Sequence, residues 1–148
     1  LLKRANVITK VCAQVGALSS VIVGILMISA GWLCSPLFSP NAEVQLLVSI
    51  GMTILGIFLP LSGFMWALDG VLIGAGDHKY LAKSCSITAV VYLIVISAVC
   101  VANVALFAGD ITKTISLWVA LNAVYIGGRA LGNSLRVKTD DWMKCANL

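Results

Sequence analysis

The stretch "WALDGVLIGAGDHKYLAKS", residues 66–84, decides how the chain is organised, because it is a polar break between two long apolar runs. Asp69 lies near the end of the first run, and a glycine-rich segment, Gly74 to Asp77, follows five residues later. A glycine can end a helix in the left-handed conformation, and an aspartate can cap the next helix. We therefore expect a helix–turn–helix connection, in which Gly74 or Gly76 ends one helix and Asp77 begins the next.

The composition of the whole chain indicates an integral membrane protein. Of the 148 residues, 60% are hydrophobic and 11% are charged, and the mean hydropathy is +1.03. A soluble domain carries about 25% charged residues. A membrane helix needs about 20 apolar residues, and four runs approach that length. We expect an all-α membrane protein with four transmembrane helices at about 11–33, 45–73, 84–108 and 114–133, followed by a cytoplasmic tail at 134–148.

The distribution of basic residues predicts the topology of these four spans. All but one of the ten Lys and Arg residues fall on the side of the two termini and the middle connection, and only Lys113 falls on the other side. The residues on the shared side are Lys3, Arg4, Lys10, Lys79, Lys83, Arg129, Arg136, Lys138 and Lys144. Because cytoplasmic loops are rich in Lys and Arg, both ends and the middle turn are predicted to be cytoplasmic. The expected location is the cell (plasma or inner) membrane.

Several classes of function are disfavoured by the same residues. The net charge of +4 follows from the topology, and nucleic-acid binding would need a clustered basic patch or a known motif. A phosphate loop needs a strand and then GxxxxGK[ST], but here a helix precedes the turn and Tyr80 follows Lys79. The only histidine, His78, has no partner that would make a nucleophile–base pair. We expect no enzyme, no catalytic residue and no cofactor.

The five cysteines show neither CxxC spacing nor an even count. Three of them lie in apolar runs, where a free thiol behaves as a small hydrophobic group. Free thiols are expected rather than a disulfide framework or a metal site.

Asp69 is the candidate coupling or gating residue, because an acid inside a membrane span is costly and is a functional hypothesis by default. If the helix ends near Gly74, Asp69 lies roughly 7 Å inside that end, where water or Lys79 can reach it. The functional interpretation is a protonatable or cation-sensing group at the inner mouth of a pathway. The structural interpretation is a partner for a cytoplasmic Lys or Arg, and the sequence favours neither.

Three residues upstream share a helical face with Asp69 and are candidates to line a cavity: Phe58, Ser62 and Met65. Pro60 lies in the middle of the same span and removes one backbone donor, so we expect it to kink the helix.

Small residues predict where the helices approach one another. They recur at every fourth position as Gly16, Ser20 and Gly24, as Gly70 and Gly74, and as Gly128 and Gly132. Ser39 is a candidate cap for the second span, with Pro40 at its first position. Arg129 closes the apolar part of the fourth span, and we expect it to snorkel toward the interface.

Several stretches resemble one family in the correct order along the whole chain. The sequence "ALDGVLIGAGDHKYLA", residues 67–82, looks like the segment between the tenth and eleventh helices of multidrug and toxic compound extrusion (MATE) transporters, DinF-like branch. The signature residues there are Gly70, Gly74, Gly76 and Asp77. Three further stretches are similar to the start of the ninth helix, the outer loop after it and the C-terminal end: "LKRANVITKVCAQVGALSS" (2–20), "SPLFSPNAEV" (35–44) and "RVKTDDWMK" (136–144).

The resemblance implies the last four helices, ninth to twelfth, of a twelve-helix transporter. The expected function is secondary antiport, in which organic cations, drugs or other amphipathic compounds leave in exchange for H⁺ or Na⁺. The chain begins with leucine, and we interpret it as cut from a longer protein whose first eight helices are the missing partners, beside the lipid bilayer and a small-molecule substrate. One branch of the family carries an acid near Ser62, where none stands here, so Asp69 does not inherit that role.

Two other classes of protein remain open. The first alternative is a self-contained four-helix membrane scaffold or assembly subunit without transport activity. The second is a membrane enzyme, although the sequence shows no constellation of His, Glu or Ser at membrane depth that would support it.

Overall fold

A computed structural model describes residues 2–139 and 141–145, and this part of the chain is helical throughout except for short connections. No strand occurs within these ranges. The helices are α1 (Leu2–Phe38), α2 (Ala42–Gly74), α3 (His78–Ala105), α4 (Asp110–Ala120), a π-helix (Leu121–Ile126), α5 (Gly127–Lys138) and α6 (Asp141–Cys145).

Four helices are long and apolar enough to cross a membrane, as the composition predicts. They run over Arg4–Phe38, Ala42–Gly74, His78–Ala105 and Asp110–Lys138, the last formed by α4, the π-helix and α5 together. Each is longer than the apolar run from which it was predicted, because the helical conformation continues into polar residues at one or both ends. The third helix ends at Ala105, three residues before its predicted end at 108. The segment 134–138, which we expected in the tail, therefore belongs to the fourth long helix.

The first connection begins later than predicted. Pro36 lies inside α1, which continues to Phe38. The cap of α2 is Asn41, whose Oδ1 accepts a hydrogen bond of 2.8 Å from the Glu43 amide, so the predicted cap at Ser39 is wrong. The Ser39 hydroxyl instead accepts a bond from the Asn41 amide. The serine thus positions the residue that caps the helix.

The middle connection is the tight turn that the glycines predict. Gly74 is the last residue of α2, and Gly76 adopts the left-handed conformation with φ of 76°. The amide of Asp77 donates to the Leu72 carbonyl and closes the turn. Asp77 occupies the cap position of α3, but its side chain makes no capping hydrogen bond, and the prediction that it caps the helix is wrong in this respect. We call the end of the bundle that carries this turn the turn end.

Helices α1 and α2 are antiparallel and lie very close together. A Cβ atom on Gly24 would lie 2.5 Å from the Gly56 carbonyl oxygen, and one on Gly16 would lie 2.8 Å from the Gly63 carbonyl oxygen. A Cβ atom on Gly63 would overlap the Ser20 hydroxyl. We call these five residues the glycine seam.

The other two glycine pairs differ from each other. Gly128 and Gly132 face Thr88 and Ser84, so the prediction of a helix contact holds for α5 against α3. Nothing in the described part of the chain lies within 4 Å of a Cβ placed on Gly70 or Gly74, so this pair marks no helix contact there.

The buried apolar core lies at the turn end, where α6 folds back onto the bundle. Its members are Leu72, Ala75, Leu81, Trp142 and Met143. The Trp142 indole also donates to the Val137 carbonyl at 3.2 Å. Elsewhere most large apolar side chains on the long helices are exposed, as expected for surfaces that face lipid.

Four of the five cysteines are free thiols, as predicted: Cys12, Cys34, Cys85 and Cys100. The side chain of Cys145 lies outside the described part of the structure, as do those of Lys3 and Lys144.

Candidate functional site

The Asp69 carboxylate is held between two side chains of α5. Its Oδ2 accepts a hydrogen bond of 2.7 Å from Arg129 Nη2, and its Oδ1 accepts one of 2.6 Å from Asn133 Nδ2. The Asp69 and Arg129 side chains are only 14% and 16% exposed. Both carboxylate oxygens therefore have donors, and the charge of the arginine balances that of the acid inside the protein.

A second acid–arginine pair lies nearer the turn. Asp77 Oδ2 accepts a hydrogen bond of 2.8 Å from Arg136 Nε. The Asp77 side chain is 6% exposed, and Arg136 Nη1 also lies 3.7 Å from Asp141 Oδ2. Arg136 thus ties the turn to both α5 and α6.

These contacts form a continuous row along two parallel helices. Arg129, Asn133 and Arg136 are four and three residues apart, so they lie on one face of α5. Their acceptors, Asp69 and Asp77, follow in the same order along α2 and the turn. We call these five residues the charged seam.

Aromatic rings lie beside both arginines. The Arg129 guanidinium carbon is 5.8 Å from the centre of the Tyr125 ring, and that of Arg136 is 5.0 Å from the Tyr80 ring. Cations are attracted to the faces of such rings. The Tyr80 hydroxyl donates to the Gly132 carbonyl at 2.6 Å, which fixes its ring between α3 and α5. Each arginine is therefore held by an aromatic ring on one side and by its carboxylate partner on another.

The π-helix sets the face that α5 presents to α2. The Gly127 amide donates to the Asn122 carbonyl, five residues back instead of four. Asn122 is buried, and its Nδ2 donates to the Trp118 carbonyl, where the α-helical register of α4 ends. A wider turn changes the direction of every later side chain relative to α4, and π-turns in long helices frequently mark functional sites.

Asn133 leaves one buried acceptor without a partner. Its Nδ2 is bonded to Asp69, but its Oδ1 has no hydrogen-bond partner in the described part of the chain, and the residue is fully buried. A buried unpaired carbonyl is costly. The amide is nevertheless held in the orientation that offers its donor to the carboxylate.

The structure gives Asp69 the kind of partner that the structural interpretation proposed, but the partner is Arg129 and not Lys79. The expectation that Arg129 snorkels to the interface is wrong. Its side chain is mostly buried, because it is directed at an acid of α2 instead of extending out of the bundle.

The other predicted site residues lie further along α2. Ser62 and Met65 are buried, and the Ser62 hydroxyl donates to the Phe58 carbonyl of its own helix. Pro60 lies within α2, which is helical on both sides of it. The cavity-lining role of these residues and the kink at Pro60 stay predictions.

Sequence reasoning did not find Asn133 and Arg136 as site residues. Their signal was present, because polar residues recur at i, i+4 and i+7 from Arg129. No group of three His, Cys, Asp or Glu side chains that could hold a metal occurs among the residues searched, which are those that the structure describes.

The fold defines the class of protein: a helical chain with four membrane-length helices, consistent with a multi-pass membrane protein. Within it, a carboxylate of one long helix pairs with an arginine of another. Comparison with models of protein families, with curated proteins and with solved structures finds no match to this chain.

Proposed function

We propose that this chain is the C-terminal four-helix portion of a secondary antiporter of the MATE type, which exports organic cations or other amphipathic compounds in exchange for H⁺ or Na⁺. The observation that carries the proposal is the Asp69–Arg129 pair, a charged contact between two membrane-length helices. The ordered resemblance of the stretches around it to MATE transporters supplies the family.

The pair is chemically suited to respond to a coupling ion. Its attraction depends on the negative charge of Asp69, and the interaction of two charges out of water is much stronger than in water. A proton on the carboxylate, or a Na⁺ ion that competes with the guanidinium, removes that attraction. The α5 helix is then held to α2 by fewer contacts, and the turn end can change its packing.

The proposed orientation puts the turn end in the cytoplasm, with the chain in the plasma or inner membrane. Within the described ranges, five basic side chains at this end have no carboxylate within 4.0 Å: Arg4, Lys10, Lys79, Lys83 and Lys138. At the opposite end Lys113 is paired with Asp110 at 3.2 Å. An excess of positive charge on one side supports the cytoplasmic assignment of that side.

A scaffold or assembly subunit without transport activity is the second candidate function. The pairing of Asp69 favours it, because a carboxylate with two good donors is also what a purely structural contact requires. The upstream reading frame separates the two candidates. About eight further spans, with an acid inside the first, support the antiporter, whereas a start codon directly before Leu1 contradicts it.

The decisive experiment is dye efflux by the full-length protein carrying Asp69→Asn. Asparagine keeps the shape of the side chain but leaves the mostly buried Arg129 without its charge partner, so thermal stability in detergent should fall. We expect cation-driven efflux per folded molecule to fall as well. The matched control is Asp110→Asn, which removes an exposed acid at the other end. Unchanged efflux per folded molecule would remove Asp69 from the mechanism and would favour a purely structural pair.

The orientation is tested with His78→Cys in a background without other cysteines. His78 is exposed at the start of α3, so a membrane-impermeant maleimide can reach it from whichever side the turn occupies. We expect labelling only in inverted vesicles. Labelling in intact cells would reverse the topology.

A further inference from the structure

A groove runs along the outside of the bundle between α3 and α5, close to the turn end. Its volume is about 340 Å³. Gly128 and Gly132 lie at the bottom of the groove, where the absence of side chains lets α5 approach α3 closely. Its apolar walls include Ile87, Leu131 and Leu135, which are 55%, 63% and 54% exposed. On a membrane-length helix, such a groove has the shape and polarity of a site for a lipid chain.

A basic side chain lies at the mouth of this groove. Among the described residues that line the groove, Lys83 alone has a charged side chain, and it lies near the turn. In the ranges 2–139 and 141–145 no carboxylate lies within 4.0 Å of its ammonium group. Lys79 lies one turn before it on the same face of α3, and Lys138 lies three residues beyond Leu135 on α5. The three cations therefore lie at the same end of the groove.

Three acids of this end that the structure describes are already engaged. Asp69 is paired with Arg129, and Asp77 and Asp141 both lie against Arg136. Consequently the positive charge at the mouth of the groove is not balanced by the described acids, and an anion from outside the chain can bind there. Basic pockets between membrane helices on the cytoplasmic side are typical sites for anionic lipid headgroups.

We propose that this groove binds one anionic phospholipid, with an acyl chain between α3 and α5 and the headgroup phosphate at Lys83. The site is separate from the charged seam and does not depend on the antiport proposal. A neutral helix packed in the groove would cover its walls but leave the lysine charge unmatched, so the lipid satisfies both observations together. The aliphatic stem of Lys83 can lie along the apolar wall while its ammonium group reaches the phosphate.

The test uses purified full-length protein in detergent and native mass spectrometry with dioleoyl phosphatidylglycerol. Wild-type protein is expected to retain this lipid in preference to dioleoyl phosphatidylcholine, which has the same chains. Lys83→Ala should weaken retention roughly fivefold, the effect of one basic residue near an anionic surface. The control, Lys10→Ala, removes the same charge from an exposed position of α1 at the same end and should change retention little.

Four outcomes would overturn the proposal, three from lipid binding and one from a spin label. The first is equal retention of the two lipids, and the second is undiminished phosphatidylglycerol retention by Lys83→Glu. The third is that inorganic phosphate competes as well as the lipid does, which would indicate a site for a free anion. Because Lys83 is exposed, its variants should fold. A spin label attached at Leu131→Cys gives an independent measurement. If lipid fills the groove, the label should be accessible to oxygen dissolved in the bilayer. A label protected from oxygen would show that a protein segment fills the groove.

Discussion

Helix α2 makes two contacts of opposite character, the glycine seam with α1 and the charged seam with α5. In the first, backbones of two antiparallel helices nearly touch at Gly16 and Gly63 and at Gly24 and Gly56. In the second, side chains from parallel segments meet through acid–arginine hydrogen bonds of 2.7 and 2.8 Å. The first contact rests on shape, whereas the second rests on charge.

The difference indicates which part of the molecule can respond to a ligand. Close van der Waals packing does not change when a proton or an ion binds, and small residues at such contacts allow very little adjustment. A buried ion pair is held by attraction that must offset a large desolvation cost, so changing one charge alters it strongly. We therefore expect α1 and α2 to move as one body and α5 to be the part that shifts.

The largest expected effect comes from breaking the charged seam with Arg129→Ala. This change leaves Asp69 buried and without its charge partner, which costs about 3–5 kcal/mol in comparable buried pairs. The measurement is the thermal stability of the full-length protein in detergent. Lys113→Ala is the control, because it breaks an exposed pair whose side chains are 46% and 77% accessible and which contributes at most about 1 kcal/mol.

The contribution of charge to the same seam is tested more sharply by removing both charges together. Asp69→Asn with Arg129→Gln leaves no unpaired charge, so much of the stability lost in Arg129→Ala should return. If the double variant is less stable than Arg129→Ala, the Asp69 carboxylate makes another contact that contributes more to stability than its pairing with the arginine.

A smaller effect is expected from Gly63→Ala in the glycine seam. The added methyl group would overlap the Ser20 hydroxyl and the Gly16 carbonyl, and overpacking of this kind costs about 1–3 kcal/mol. Gly70→Ala, in the same helix, is the matched control, because its new methyl group meets none of the described residues within 4 Å. Equal stability of the two variants would contradict the close approach of α1 and α2.

The smallest expected effect is that of Thr53→Val. The Trp32 indole donates to the Thr53 hydroxyl at 3.1 Å across the same pair of helices, and such bonds in membranes contribute about 0.6 kcal/mol on average. The change should lower the thermal midpoint only slightly. A loss as large as that of Gly63→Ala would show that this contact is not held mainly by shape.

The spans and the glycine turn could be predicted from the sequence because their causes are local. Apolar length predicts a membrane helix, and glycine at 76 permits the left-handed turn that ends the middle connection. The cap of α2 was missed by two residues because Ser39 and Asn41 are both good capping residues, and only the path of the chain selects between them. The spacing of Gly16, Ser20 and Gly24 predicted a close helix contact on this face of α1, but it did not predict which helix makes that contact.

The partner of Asp69 could not be predicted, because 60 residues separate it from Arg129. The pairing depends on how α5 is rotated, and that rotation depends on a π-helix for which the sequence carries no recognised signal. The packing of Trp142 and Met143 under the turn has the same origin, since a short helix after a polar segment is indistinguishable in sequence from a solvated tail.

The π-helix at Leu121–Ile126 also makes the exact count of residues in the fourth span important. Deleting one residue there would leave composition and hydropathy almost unchanged, and the span would still be long enough for the bilayer. Because the π-turn holds one residue more than an α-turn, the helix can absorb that deletion by closing to α-helical hydrogen bonds. The same deletion in α4 would instead turn the whole of α5 by about 100° and carry Arg129 and Asn133 away from Asp69. A one-codon deletion in α4 should therefore resemble the loss of Arg129, whereas one within the π-helix should be tolerated better.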